Sequence, residues 1–290
     1  MTNPLRNSCW PTPEQRLLLH AVLLKGQDAI SAWEQWAAKL NFDKLDYGSQ
    51  RLIPLLYRNL LDHGIQHTLM ARYKGVYRRF WLSNQFLFNH IKSVLSSLNE
   101  AGIKTLLFKG AGLVVGYHLN YALRPMDDID FLVHKEAAQT AIDVIKDLDW
   151  FPLYGSDKDF NPMKKAVMYR NRNGQTLDLH WHSLNCDLTG KHDGGYWERS
   201  FSAQIDEVPV RVMGFTDQLI HTCVHGIWWN EIPPMRWIVD SIILLENSGA
   251  VIQWDFLMEH SKQLRVTLPM YHGLRYLKNE LNAPVPEDVV

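Results

Sequence analysis

Cysteine is scarce in this sequence, and no segment is typical of export or of membrane insertion. The 290 residues include three cysteines, Cys9, Cys186 and Cys223, whose odd number and wide spacing argue against a disulfide framework. No uninterrupted apolar run approaches the ~20 residues that a membrane helix needs. The first residues also lack the apolar stretch of a secretory signal. We therefore expect a cytoplasmic protein with reduced thiols and no membrane association.

An excess of charge of one sign is missing as well. The chain has 30 Lys and Arg residues against 31 Asp and Glu residues, which gives a formal net charge of −1. Proteins that bind long nucleic acids usually carry a positive surface, so this balance argues against such a partner. A hydrophobic content of 46% and a charged content of 21% are ordinary for a globular protein, and the length allows a large buried core.

Several common catalytic signatures are absent. The sequence has no Walker P-loop, no Rossmann Gly-x-Gly-x-x-Gly and no Gly-x-Ser-x-Gly turn of the serine hydrolases. The His-Glu-x-x-His zinc motif is missing too. A zinc site remains a minor alternative, because His180 and His182 share a predicted strand with Asp178. His221 and His225, one helical turn apart, are interpreted as structural residues.

The stretch from Thr105 to Val133 is the most informative part of the sequence. Its two ends, residues 105–108 and 129–133, are apolar runs that predict short buried strands. Between them lie a glycine-containing turn at residues 109–112 and an apolar run long enough for a short helix. This order of strand, turn, helix and strand is typical of proteins that mix helices with a sheet.

Acidic residues crowd the start of the second predicted strand. Asp127, Asp128 and Asp130 lie close together, and strand alternation places Asp128 and Asp130 on the same face. Neighbouring buried carboxylates repel each other and need a compensating cation. Oxygen ligands select Mg²⁺ or Mn²⁺, and a magnesium ion often completes its shell with substrate phosphate. The acids therefore predict a divalent metal site.

The segment before this strand would hold phosphate. Glycine at position 110 lets the backbone approach a phosphate closely, and the N–H groups that open the next helix favour an anion. Lys109 and Arg124 are nearby cations that would hold a polyphosphate tail. Metal ligands and a phosphate-binding segment thus occur together.

A third acid comes from a predicted hairpin. Residues 166–171 and 175–182 are strand-like, and an Asn-Gly pair between them is a strong turn signal. On the second strand Asp178, His180 and His182 share one face. Three carboxylates from two strands suit a pair of divalent ions in phosphoryl or nucleotidyl transfer. His180 or His182 would contact phosphate or help to deprotonate the acceptor.

These segments together resemble a known family, the DNA polymerase β-type nucleotidyltransferase superfamily. Within it, the chain resembles uncharacterised bacterial nucleotidyltransferases that have a helical N-terminal region and a Lys-Gly form of the glycine motif. The resemblance is carried by Lys-Gly-Ala at 109–111, by Arg124, by Asp-Asp-Ile-Asp-Phe-Leu-Val at 127–133 and by Leu-Asp-Leu-His-Trp-His at 177–182. It implies an α+β (mixed α/β) fold, with a small mixed sheet flanked by helices.

The resemblance also implies roles for individual residues. The catalytic acids, which bind Mg²⁺ or Mn²⁺, would be Asp128, Asp130 and Asp178. The NTP substrate would be bound by Lys109, Gly110, Ala111 and Arg124, with Asp127, His180 and His182 as further contacts to phosphate or acceptor. Ala111 stands where the superfamily usually has a serine or glycine, so the hydroxyl that contacts phosphate is missing and Lys109 or backbone N–H groups would have to replace it.

Three regions are predicted along the chain. Helical periodicity indicates an N-terminal helical region at residues 1–100, whose first helix starts at the Thr-Pro-Glu-Gln sequence of residues 12–15. The nucleotidyltransferase catalytic core would occupy residues 101–215. A C-terminal helical bundle would follow at residues 216–290.

The leading hypothesis is a metal-dependent nucleotidyltransferase. It would move an NMP group from an NTP to an acceptor hydroxyl, on a small molecule, a protein or an RNA end, and release pyrophosphate. One alternative is a non-catalytic nucleotide- or partner-binding member of the same fold, antitoxin-like or regulatory, which Ala111 favours. Another is a metal-dependent phosphohydrolase that uses the same acids with His180 and His182. The sequence leaves the acceptor, the preferred NTP and the oligomeric state open.

Overall fold

The computed structural model describes residues 10–117, 119–154, 160–184, 191–228, 235–247 and 252–290. Two of the cysteines, Cys9 and Cys186, lie outside these ranges. The chain forms two compact units, one made of residues 1–80 together with 219–290 and the other of residues 81–218. The division into regions at residues 100 and 215 stays a prediction.

The described residues form twelve α-helices, most of them where helical periodicity predicts them. In chain order the helices are α1 (Pro13–Leu23), α2 (Gly26–Ala37), α3 (Tyr47–Gln50), α4 (Ile53–Asp62), α5 (Leu69–Glu100), α6 (Lys109–Gly116), α7 (Ala138–Asp147), α8 (Asp193–Glu198), α9 (Phe215–Trp228), α10 (Arg236–Asn247), α11 (Trp254–Gln263) and α12 (Thr267–Leu281). Helix α1 begins with a capping box, in which Thr12 and Gln15 each accept the other's N–H. No helix in the described ranges has both the length and the apolar character needed to cross a membrane.

Strands of residues 81–218 form one mixed sheet. They are β1 (Leu106–Leu107), β2 (Asp128–Leu132), β3 (Trp150–Pro152), β4 (Ala166–Asn171), β5 (Thr176–His180), β6 (Phe201–Ile205) and β7 (Val208–Val212). Their order across the sheet is β3-β4-β5-β2-β1-β7-β6. β2 runs parallel to β5 and β1 parallel to β7, whereas the other neighbours are antiparallel. The predicted mixed α/β fold is confirmed.

The β2–β5 pair joins residues that are far apart in the sequence. Asp130 lies opposite Asp178, and Asp128 lies opposite Thr176. β5 is in turn the second strand of a hairpin with β4, as predicted. The turn of this hairpin contains Gly174 at a φ of 84°, a left-handed value that glycine adopts without steric cost.

The two faces of β2 have different surroundings. Ile129 and Phe131 are fully buried in the main core, together with Leu177 and Leu179 of β5. This confirms the predicted alternation on both strands. On the other face, Leu132 packs in a second apolar cluster that also contains Leu106, Phe108, Tyr196, Trp197 and Met213. The carboxylates of that face therefore lie beside apolar side chains and not in open water.

The predicted turn at residues 109–112 is wrong. These residues form the first turn of α6, which begins directly at Lys109. The chain changes direction within one residue, because Lys109 has a φ of 50° immediately after the extended residue Phe108. The N-terminus of α6 therefore starts at the end of β1, without an intervening loop.

We expect Cys223 to be unreactive in the folded protein. Its side chain is fully buried in α9, and burial raises the pKa of its thiol to about 12. The thiol stays protonated at pH 8, and a protonated thiol is a poor nucleophile. Iodoacetamide at pH 8 should leave Cys223 unmodified in native protein and modify it in 6 M guanidinium, as measured by peptide mass spectrometry. Rapid labelling under native conditions would contradict this burial.

Candidate active site

Three carboxylates meet where β2 and β5 run side by side, and we refer to Asp128, Asp130 and Asp178 as the acid cluster. The register places Asp130 directly beside Asp178, and strand alternation puts Asp128 on the same face as Asp130. Their environment contains little water, since the side chain of Asp130 is 7% exposed and that of Asp178 is 15% exposed. Like charges in such a place repel each other strongly, so the site needs cations.

His180 lies between two of these carboxylates. Its ring is fully buried, and Nε2 lies 2.9 Å from Asp178 Oδ2 and 3.1 Å from Asp130 Oδ1. Burial alone would lower the pKa of His180, but the charge of Asp178 raises it above its ordinary value. Nε2–H donates to both carboxylates and holds them together. The edge of the ring rests on Phe108, with the ring centroids 4.8 Å apart.

Lys109 supplies a cation. Its Nζ donates to Asp130 Oδ1 at 2.5 Å, and the Lys109 side chain is 20% exposed. Burial acts to lower the pKa of Lys109, but the neighbouring Asp130 raises it, so the ammonium group stays charged. The backbone is held separately, because Gln218 Nε2 donates to the Lys109 carbonyl at 3.2 Å. Lys109 was predicted to bind phosphate, and here its ammonium is bound to an acid.

The three acids differ in how readily they ionise. Burial, reinforced by the charge of Asp130, raises the pKa of Asp128 to about 7. Burial also acts to raise the pKa of Asp130 and of Asp178. However, Lys109 beside Asp130 and His180 beside Asp178 hold both pKa values below their usual range. Lys109 and His180 therefore favour the ionised forms of Asp130 and Asp178, whereas burial favours the protonated form of Asp128.

This donor set fits a divalent cation. One ligand atom each from Asp130, Asp178 and His180 lie within 4.8 Å of one another. Asp128 adds a third carboxylate, whose pKa burial raises to about 7. Carboxylate oxygens suit Mg²⁺ and Mn²⁺.

Gly110 and Ala111 are small because of packing. A Cβ atom on Gly110 would lie 2.8 Å from Met126 Sδ and 2.9 Å from Met126 Cγ, closer than atoms can approach. Ala111 is 1% exposed and belongs to the main core. Both residues lie in the first turn of α6, where backbone N–H groups have no partner within the helix. The Lys-Gly-Ala segment thus combines a packing requirement with an N-terminus that suits an anion.

Arg124 and Asp127 lie on the segment that leads into β2. Arg124 is 7% exposed, and its Nη1 donates to the carbonyl of Pro125 at 3.0 Å. Asn84 Nδ2 donates to the Arg124 carbonyl at 2.8 Å and ties the segment to α5. Asp127 is exposed, and its carbonyl accepts the Thr176 hydroxyl at 2.7 Å. These contacts fix the segment that positions Asp128.

His182 is bound to an acid that sequence reasoning missed. Its Nδ1 lies 2.7 Å from Oδ2 of Asp193, the first residue of α8. Asp193 also accepts the N–H of Ser183 at 3.3 Å. No sequence signal links Asp193 to His182, because the pairing is a tertiary contact between the end of β5 and the start of α8. His221 and His225 lie in the other unit, where the described residues do not complete a group of three metal ligands.

Lys165 is a further cation near the site that sequence reasoning missed. Burial, together with the charge of Lys109, lowers its pKa. Its carbonyl accepts the N–H of Trp181 at 2.9 Å, which fixes Lys165 beside the end of β5. The predicted hairpin could have indicated this position. Ala166 pairs with His180, so Lys165, which precedes Ala166, lies next to the site.

Comparison with known proteins gives a family. Residues 48–282 match the family described as uncharacterised nucleotidyltransferases, and the match includes every residue of the acid cluster. The chain belongs to this family. No curated protein sequence matches the chain significantly.

Two solved structures are similar to this family member. One is the antibiotic-resistance factor ANT(2'')-Ia in solution, with a TM-score of 0.46 and 14% identity over 65% of this chain and 98% of that chain. The other is an antigenic nucleotidyltransferase-like protein from Paracoccidioides brasiliensis. Its TM-score is 0.46 and its identity 13%, over 70% of this chain and 95% of that chain.

We expect Gly110→Ala to destabilise the protein by about 1–3 kcal/mol, because Met126 has to move to admit the new methyl group. Urea unfolding followed by tryptophan fluorescence measures the change. The matched control is Gly75→Ala in the middle of α5, where nothing lies within 4 Å of the added Cβ. The control should be neutral or more stable by about 0.5–1 kcal/mol. Equal stability of the two variants would show that packing does not require glycine at position 110.

We expect Asp128→Asn to stabilise the metal-free protein at high pH. The pKa of Asp128 is about 7 in the folded state against an ordinary value of 3.8, so its ionisation destabilises the fold as the pH rises between these values. In EDTA at pH 8 the variant should gain about 1–4 kcal/mol, and near pH 4 the gain should vanish. Urea unfolding across this pH range measures the effect. The exposed Asp147→Asn serves as control, and a gain independent of pH would contradict the assignment.

Proposed function

We propose that this member of the family transfers an NMP group from an NTP to an acceptor hydroxyl and releases pyrophosphate. The observation that carries the proposal is the acid cluster, with Asp130 opposite Asp178 on parallel strands and Asp128 two residues before Asp130. Nucleotidyl transfer develops negative charge around the α-phosphorus and needs little else from the protein than positioning and positive charge.

Mg²⁺ or Mn²⁺ held by Asp128, Asp130 and Asp178 would supply positive charge to the triphosphate and to the attacking oxygen. Lys109 and the N–H groups that begin α6, at Gly110 and Ala111, would bind the β and γ phosphates. These donors compensate for the hydroxyl that Ala111 lacks. They already lie beside the acid cluster, because α6 begins where β1 ends.

The chemical step breaks one P–O bond and forms another. The acceptor oxygen attacks the α-phosphorus, the bond to the bridging oxygen of the β-phosphate breaks, and pyrophosphate leaves. Asp178 takes the proton of the acceptor hydroxyl, and His180, 2.9 Å away, holds its carboxylate in place. Arg124 braces the segment before Asp128 through its bond to the Pro125 carbonyl. Asp127 and His182 are left for contacts to the acceptor.

A non-catalytic nucleotide-binding protein is the second candidate. It is favoured by the ion pair between Lys109 and Asp130, which satisfies one acid without any ligand. It is disfavoured by the acid cluster itself, because neighbouring buried carboxylates destabilise the fold unless they bind a cation. The near-neutral net charge argues against long nucleic acid, either as the acceptor of an enzyme or as the partner of a non-catalytic protein.

A thermal-shift panel tests the nucleotide site. ATP, GTP, CTP and UTP are each added with and without Mg²⁺ to wild type, Asp130→Asn and Asp147→Asn. At 100 times the Kd, a bound nucleotide should raise the Tm by about 5 °C in wild type and in the exposed control Asp147→Asn. Asp130→Asn should lose this Mg²⁺-dependent rise.

The nucleotide identified in this way then enters a product assay with an α-labelled NTP. Release of pyrophosphate at a rate at least about 100-fold lower in Asp178→Asn supports transfer with Asp178 as the base. Release of inorganic phosphate would support a phosphohydrolase instead. Nucleotide binding without turnover, unchanged in Asp130→Asn, would support the non-catalytic candidate.

A further inference from the structure

The ammonium group of Lys109 is bound to the same carboxylate oxygen that His180 contacts. Lys109 Nζ lies 2.5 Å from Asp130 Oδ1, and His180 Nε2 lies 3.1 Å from that oxygen. The Asp130 side chain is only 7% exposed, so water screens these charges weakly. The chain itself thus provides positive charge at Asp130 Oδ1.

A divalent ion and Lys109 compete for that oxygen. A carboxylate oxygen ligates Mg²⁺ at about 2.1 Å. An ammonium group at hydrogen-bond distance from the same oxygen would face a doubly charged cation at close range, with little water between them. Occupation of the acid cluster through Asp130 Oδ1 therefore requires the Lys109 side chain to move away.

The position of Lys109 offers its ammonium group a second partner. Lys109 begins α6, whose first N–H groups favour an anion such as a phosphate. Its φ of 50° lies in the left-handed region, where residues other than glycine are uncommon and which is found at functional sites. Gln218 holds the Lys109 carbonyl at 3.2 Å, so the side chain can turn while the backbone stays fixed. The ammonium group of Lys109 can therefore bind either the Asp130 carboxylate or a phosphate.

We propose that Lys109 is an internal cation that keeps the acid cluster closed to divalent ions until a nucleotide binds. The triphosphate draws the ammonium group away from Asp130, and the acid cluster then accepts the ion that accompanies the nucleotide. The inference rests on the proposed nucleotidyltransferase function and adds an order of binding to it. Because coupling between two ligands is reciprocal, nucleotide and ion each strengthen the binding of the other.

The test measures the binding of Mn²⁺ alone, without nucleotide. Mn²⁺ is titrated into wild type, Lys109→Met and Lys104→Met, and free Mn²⁺ is quantified from its electron paramagnetic resonance signal. Methionine keeps much of the length of the lysine side chain and, like lysine, is not glycine, so the left-handed backbone is affected equally. Lys104 is exposed and lies just before β1, so Lys104→Met controls for the loss of one positive charge.

Lys109→Met should bind Mn²⁺ at least about ten-fold more tightly than wild type, and Lys104→Met should bind it as wild type does. Lys109→Arg retains the charge and should stay as weak as wild type. Lys109→Gln is a second neutral variant that should behave like Lys109→Met. Circular dichroism shows whether the two neutral variants are folded. If both are unfolded, refolding on addition of Mn²⁺ supports the proposal, and failure to refold overturns it.

The outcomes separate this inference from the function on which it rests. Equal Mn²⁺ affinity in wild type and Lys109→Met, lost in Asp130→Asn, would overturn the role of Lys109 and leave metal-dependent transfer intact. Mn²⁺ binding that does not depend on Asp130 in any variant, even with ATP, GTP, CTP or UTP present, would overturn the metal-dependent function itself.

Discussion

The pairing of Asp130 with Asp178 across two parallel strands is the constraint on which this unit depends. Two carboxylates side by side, with apolar residues around them, would destabilise the fold unless positive charge is close by. Lys109 provides it from the start of α6, and His180, on the same strand as Asp178, donates Nε2–H to both carboxylates. The short connection between β1 and α6 places the Lys109 side chain beside Asp130 Oδ1.

The Lys-Gly-Ala segment serves the core and the site at the same time. Gly110 leaves room for Met126, and Ala111 fills part of the main core, while the same residues carry N–H groups of the first turn of α6. Loss of activity in a Gly110 variant would therefore say little about phosphate binding by itself. Side chains that lie outside the core, such as Lys109, separate the two roles more cleanly.

Features that depend on neighbours in the sequence were predictable, whereas features that depend on long-range contacts were not. Alternation along β2 places Asp128 and Asp130 on one face, and an Asn-Gly pair predicts the turn between β4 and β5. The sequence does not reveal that Lys109 is left-handed or that its ammonium group contacts Asp130, because both follow from the closure of β1 against β2. The bond between His182 and Asp193 was missed because it, too, is a tertiary contact. β3 spans three residues, too few for an alternating pattern to be recognised.

The alternation on β2 and β5 also has a consequence for how the chain reaches its fold. A slip of one residue between these strands would drive carboxylates into the main core and turn Phe131 and Leu179 out of it. A misaligned pairing is thus destabilised in two ways, because it buries charge and loses apolar contacts. The β4–β5 hairpin closes locally and can form early, whereas β2 must pair with β5 across the intervening α7, β3 and β4. The cost of burying the carboxylates therefore selects the correct strand register during folding, long before any substrate is bound.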